Sequence, residues 1–336
     1  MISRPSIDTL RGLACLLLVT FHVLGSSPST GLHLPADSLA AELDDWLSVL
    51  RMPLFSFLSG LVYAHRPIRG DVGPFIQRKV RRLLVPMLLV GTAFAALQSI
   101  SPGANAAPVD WRLLHIQPVA HYWFLEALFW IFLLVAMLER VRLLDSPWTF
   151  ALAWLVAAIV QVDAPPPVWF GLEGAAYLLP YFLLGVAAFR FHAVLSRASV
   201  AGAAAVVLAA SLAYLGSFPD LHLADDQSFP ELAASVCCCL LLLHLRPRLA
   251  WLAWIGRWSF GIYLFHAVFA AAARVAMQHA GVRALPVLFT AGFIAGIAGP
   301  IVLTSVLRRV PGGHWLLGEK PKKEGVLPVV EPVARA

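Results

Sequence analysis

Charge is what this chain has least of. Of its 336 residues, 13% are charged and 60% are hydrophobic, whereas soluble domains carry about 25% charged and about 45–50% apolar residues. That composition excludes an ordinary soluble domain and points to an integral membrane protein. Cysteine is scarce too: there are four, Cys15 and the run Cys237, Cys238, Cys239. Neighbours on a helix point about 100° apart, so the run cannot converge on a metal. It lies in an apolar stretch and reads as small hydrophobes, at most acylation sites. The sequence has no P-loop, no zinc-ligand spacing and no glycine-rich dinucleotide turn. It also lacks an internal repeat of the kind that marks many transporters. The net charge is +6, but the basic residues sit between apolar runs, where they set topology, so no nucleic-acid partner is implied.

What is present is apolar runs. They recur about ten times at membrane-spanning length, near 7–25, 46–64, 83–98, 119–138, 148–162, 174–190, 199–216, 230–245, 258–275 and 284–307. The predicted fold is therefore all-α, a polytopic membrane helix bundle. The connecting segments alternate in sign. Asp37, Glu42, Asp44 and Asp45 mark the first, and Arg66, Arg69, Arg78, Lys79, Arg81 and Arg82 the second. Arg140, Arg142, Arg190, Arg197, Arg246, Arg248 and Arg257 then fall on the basic side, with Asp163, Glu173, Asp220, Asp225, Asp226 and Glu231 on the other. By the positive-inside rule the basic side and both termini are cytoplasmic, which places the chain as a multi-pass protein of the inner membrane. The loop holding Arg274 and Arg283 fits this map poorly. Pro165–Pro167 mark a rigid external turn. Trp46, Trp111, Trp148, Trp169 and Trp251 read as interfacial anchors. A bundle over 1–310 and an exposed, disordered cytoplasmic tail over 311–336, with Arg308, Arg309, Lys320, Lys322 and Lys323 around the junction, are expected. The N-terminal run resembles a signal peptide, but Arg11 interrupts it and no clear cleavage site follows, so an uncleaved first helix is expected.

That first span, Ile7 to Gly25, holds Arg11 and His22. An ionisable group at membrane depth costs roughly 2.5–3.5 kcal/mol or more, so such groups generally face a protein or water-filled interior and act there. Eleven residues are about three helical turns, which puts both side chains on one face about 16 Å apart. Asp8 lies one turn before Arg11 on nearly the same stripe.

Five motifs now fall in order along the chain. Arg11 and His22 are a basic residue and a histidine with ten residues between. Phe55-Ser56-Phe57-Leu58-Ser59-Gly60 is an aromatic-x-x-Ser-Gly element. Arg78-Lys79-Val80-Arg81 leads into Pro86, Trp123-Phe124-Leu125 follows, and Ser259 to His266 reads S-x-x-x-Y-L-x-H. The set resembles the membrane acyltransferase-3 family. The resemblance implies a ten-helix membrane enzyme that moves an acyl group, most simply acetyl, from cytoplasmic acyl-CoA to a hydroxyl of an extracytoplasmic glycan. Acetyl-CoA is then a substrate, no cofactor is permanently bound and no metal is expected. Many members carry an appended periplasmic domain; here none is expected, which leaves acceptor choice to the bundle, its loops or a partner enzyme.

Each residue keeps its plainer alternative. His22 has an imidazole suited to take a proton from an attacking hydroxyl, or to be transiently acylated; otherwise it is a structural histidine bonded to a neighbouring helix. Arg11 holds an anionic donor or simply pairs with Asp8. Arg78 and Arg81, three apart, share a helix face and can grip coenzyme A phosphate, whereas Lys79 and Arg82 read as topology-setting charges. Glu126 is a second intramembrane acid, a proton acceptor or an arginine's partner. Trp123, Tyr263, His266 and Ser59 are assigned to substrate binding, although Ser59-Gly60 also suits close helix packing. A succinyl donor would call for further cations, for which Arg51 and Arg274 are candidates. The rival function is a transporter or flippase of a glycan or lipid precursor, with Asp8, Arg11 and Glu126 along its path. A non-catalytic scaffold is a third reading.

Overall fold

The computed structural model describes residues 3–25, 27, 29–68, 70–101, 109–218 and 228–321. Arg69, Asp220, Asp225, Asp226, Lys322 and Lys323 lie outside the described residues. Every apolar run becomes a helix, and the described elements are helical, as expected.

The order is α1 (Arg4–Leu24), α2 (Leu39–His65), then α3 (Val72–Lys79), a π-helical turn (Val80–Leu84) and α4 (Val85–Ile100) in one continuous rod. A 3₁₀ turn (Ala120–Tyr122) leads into α5 (Trp123–Arg140), followed by α6 (Pro147–Asp163). A second 3₁₀ turn (Trp169–Gly171) precedes α7 (Leu172–Arg190), a short α8 (His192–Leu195) and α9 (Ala198–Ser217). Last come α10 (Phe229–Leu245), a short α11 (Ala250–Gly256), α12 (Ser259–His279), α13 (Leu285–Leu307) and a short α14 (Gly313–Leu316). Eight of these stretches are long and apolar enough to cross a membrane, and α6 and α10 are shorter apolar helices. The protein is a multi-pass membrane protein.

Two helices start earlier than hydropathy suggests. The Ser38 hydroxyl accepts from the Ala41 N–H at 3.3 Å, so α2 begins seven residues before its apolar run. The Asp71 carboxylate accepts from the Gly73 N–H at 3.0 Å and starts α3 in polar sequence. Caps satisfy backbone donors that the membrane would leave unpaired.

Small residues set how close the helices come. A Cβ on Gly60 would lie 1.9 Å from the Phe182 carbonyl oxygen, and one on Gly185 would lie 2.0 Å from that of Phe57. The α2 and α7 backbones are therefore in direct contact, with Leu54, Phe57, Leu58, Leu61, Leu178, Tyr181 and Phe182 buried along the seam. Gly12 and Gly256 repeat the device between α1 and α11, each Cβ meeting a carbonyl oxygen at 2.0 Å or less. The Leu249 N–H also donates to the Thr9 hydroxyl at 3.2 Å. This contact fixes the depth of Asp8 and Arg11.

Residues 313–321 depart from the exposed tail expected over 311–336, of which residues 322–336 lie outside the described residues. Leu317 is buried, its carbonyl accepts from Arg82 at 3.2 Å, and Glu319 pairs with Arg308 at 2.8 Å. The apolar Leu316 and Leu317, between turns at Gly312 and Gly318, give this segment something to bury.

Candidate active site

Two clefts enter the bundle from opposite ends. The first, of 780 Å³, collects Arg11 from α1, Arg66 after α2, and Arg78, Lys79, Arg81 and Arg82 from the α3–α4 junction. Arg257 and Arg308 join them from the ends of neighbouring helices, and Glu319 is the single acid in the lining. Eight cations round one cleft make a strongly positive field, which dry walls focus rather than screen. Arg81 Nε is buried without a partner among the described residues, so this donor awaits an acceptor. Arg11 is paired with Asp8 at 3.5 Å and stays about one-third exposed to the cleft (34%).

The sequence reading separated Arg78 and Arg81 from Lys79 and Arg82; the structure puts all four on this cleft. On a helix Arg82 follows Arg78 by four residues and Lys79 by three, so these side chains share one broad face, and a π-helical turn runs over Val80–Leu84 within it. Lys79 also lies over the Phe132 ring at 3.1 Å, and Arg82 over Phe260 at 4.2 Å.

The second cleft, of 620 Å³, opens at the other end and is lined by His22, Phe94, Gln98, Ser101, Arg274, His279 and a small-residue face of α12. Arg274, the misfit in the charge map, thus borders the cleft that holds His22. Arg51 does not: it is buried, bonded to Asp44 at 3.1 and 3.2 Å, with its guanidinium 3.6 Å from the Phe21 ring.

Between the clefts lie three imidazoles. The His22 ring centre is 4.7 Å from His266 and 5.4 Å from His121, which are 4.7 Å from each other. Tyr263, one turn before His266, lines the basic cleft with Phe124. Its ring is 5.5 Å from His121. The stack from basic cleft to far cleft therefore reads Tyr263, then His121 and His266, then His22. Backbone bonds fix it: the Tyr122 hydroxyl donates to the Leu264 carbonyl at 2.8 Å, and the Tyr263 hydroxyl donates to the His121 carbonyl. Ala120, at φ +45°, turns the chain so that His121 enters the bundle.

Of the residues predicted from sequence, Arg11, Ser59, Arg78, Arg81 and Tyr263 meet in the basic cleft, and His22 and His266 meet beyond it. The Ser59 hydroxyl is engaged by the Phe55 carbonyl at 2.8 Å, a helix-internal bond that leaves the serine little nucleophilic freedom. Glu126 and Trp123 are not among the residues lining either cleft. Glu126 is buried beside Gly171, with Oε2 unpartnered among the described residues, and Trp123 packs on Gly174 and Tyr177. His121 was missed, although an imidazole inside the 119–138 run carries the same signal that singled out His22.

A family model described as an acyltransferase domain, that of the acyltransferase-3 family, matches residues 4–305. The chain belongs to this family and is a membrane acyltransferase. No curated protein and no solved structure matches it. The match covers the far cleft, the imidazoles and the basic cleft except Arg308, Leu317, Gly318 and Glu319, and it sets acyl transfer above the transporter and scaffold readings.

Proposed function

We propose that the enzyme takes an acyl group, most simply acetyl, from cytoplasmic acyl-CoA and transfers it to a hydroxyl of a glycan on the far side of the inner membrane. The observation that carries this is the pairing of a cleft ringed by eight cations at one end with a His22-lined cleft at the other. Coenzyme A carries several phosphates, the ligand that such a ring of guanidinium groups suits. With the phosphates near Arg78, Arg81 and Arg11, the flexible pantetheine arm would run past Ser59, Phe124 and Tyr263 and bring the thioester to the imidazoles, where the acceptor hydroxyl from the far cleft meets it.

The acceptor enters the far cleft and brings a hydroxyl to His22. His22 removes the hydroxyl proton as the oxygen attacks the thioester carbonyl, the C–S bond breaks, and coenzyme A thiolate leaves through the basic cleft and is protonated there. A covalent variant, in which His22 first carries the acyl group, uses the same geometry. Burial of His121 and His266 keeps bulk water from the thioester. Arg274 sits at the acceptor cleft, where it can meet an anionic substituent of the glycan. A succinyl donor finds no support in Arg51, which is committed to Asp44.

The test is transfer of radiolabelled acetyl from acetyl-CoA in inside-out membrane vesicles, comparing wild type, His22→Ala and Arg11→Ala. Label in glycan with wild type alone supports the reading. Undiminished label with His22→Ala defeats it.

A further inference from the structure

The nitrogens of the three imidazoles pose a counting problem that one catalytic histidine does not answer. His266 Nδ1 lies 2.9 Å from the Ile262 carbonyl and 3.0 Å from the Tyr263 carbonyl. A carbonyl only accepts, so Nδ1 carries the proton and Nε2 of the neutral ring is a bare lone pair. That Nε2 is buried with no partner among the described residues, and so is Nε2 of His121. His266 is wholly buried, and His121 is 6% exposed. Two unpartnered polar atoms on neighbouring rings inside a bundle are costly unless something donates to them.

One nitrogen from each of His22, His121 and His266 lies within 4.8 Å of the others. One oxygen hydrogen-bonded at about 2.8 Å to all three suits nitrogens about 4.6–4.8 Å apart, at the outer limit of that range. A tetrahedral divalent metal with bonds of about 2.1 Å suits nitrogens about 3.4 Å apart, so zinc content distinguishes the two.

We propose that His121 and His266 are positioning residues for His22 and act through one bridging water. With His121 in the same tautomer as His266, the water donates one hydrogen bond to each bare Nε2 and accepts one from the N–H of His22. Three hydrogen bonds are the usual complement of a buried water. The consequence is at the far side of the His22 ring. With one nitrogen held as an N–H donor, the other is bare and faces the acceptor cleft, the tautomer a general base requires. When His22 takes the hydroxyl proton, its N–H bond to the water strengthens. Two neutral imidazoles then share the new positive charge, which returns to neutral when the proton leaves for the thiolate. Arg51, the nearby cation, stays balanced by Asp44.

This inference rests on the proposed role of His22, and its test separates the two. In inside-out vesicles supplied with labelled acetyl-CoA, His266→Leu should lower the maximal transfer rate about 10- to 100-fold, the usual cost of losing a supporting partner, with half-saturation by acetyl-CoA unchanged. His266→Gln returns an acceptor oxygen and should recover about tenfold of that loss. His121→Leu and His121→Gln, on another element, should show the same pattern, which covers the case in which one variant folds poorly. A second readout needs no acceptor: the carbethoxylation rate of His22 by diethyl pyrocarbonate, followed by mass spectrometry, should change in both Leu variants and return toward wild type in both Gln variants. Leu and Gln variants that behave alike, whether all impaired or all normal, would overturn the proposal. So would stoichiometric zinc in purified wild type that disappears in the His121 and His266 variants, because the site would then hold a metal. Wild-type transfer by His22→Ala would instead defeat the proposed function itself. Loss of transfer with His22→Ala alongside normal His266→Leu would remove the relay and leave that function standing.

Discussion

The two clefts are similar in size, 780 and 620 Å³, and opposite in chemistry. The basic cleft is built from charges that the chain places at the ends of several helices, and its cations are numerous enough that no single one defines it. The far cleft takes the largest share of its lining from small apolar side chains of α12, with a few polar groups and one imidazole from the cluster between the clefts. Redundant charge suits grip on a polyanion, where affinity accumulates over many contacts. A single well-placed base suits chemistry, where one proton must move at one atom. The contrast teaches that substitutions in the two regions should fail in different ways: weaker binding at one end, slower turnover at the other.

The sharpest break in that comparison is His22→Ala, expected to reduce the maximal acyl-transfer rate by about 10²–10⁴-fold while coenzyme A binding, measured by calorimetry in detergent, is unchanged. Arg81→Ala should do the reverse, weakening coenzyme A binding about tenfold, the scale of one charge-assisted hydrogen bond; equal loss in binding and maximal rate would blur the division. Arg274→Ala should raise the acceptor concentration needed for half-maximal rate about threefold, as expected of a solvent-screened ion pair, and should leave donor saturation alone. Glu126→Gln should alter transfer by no more than about twofold, since a buried acid away from both clefts contributes packing and not proton transfer. A large catalytic loss in that variant would place the acid in the reaction after all.

Much of this arrangement is legible in the chain. Hydropathy locates the ten apolar helices among the described residues, two of them shorter than a full span, because a bilayer calls for long apolar runs regardless of what the helix packs against. The Arg11–His22 stripe is legible for the same reason, as charge in an apolar run stands out. Helix starts are not, since Ser38 and Asp71 cap polar sequence that no apolar pattern covers. That Lys79 and Arg82 line the same cleft as Arg78 and Arg81 follows from their three- and four-residue spacings, but which face meets a cleft depends on the packing of other helices. Glu126 was grouped with the site because it is an acid in a span; only tertiary packing puts it beside Gly171. His121 lay in plain view, one residue before a tyrosine that tethers to α12, and became meaningful only when three distant segments converged.

The claim on which the account stands is that donor and acceptor meet from opposite ends of the bundle. Purified enzyme in sealed proteoliposomes of defined orientation, with labelled acetyl-CoA on one side and glycan acceptor on the other, tests it directly. The account predicts label in glycan only when acetyl-CoA faces the Arg78–Arg81 end. Equal labelling with acetyl-CoA confined to the His22 end would contradict it.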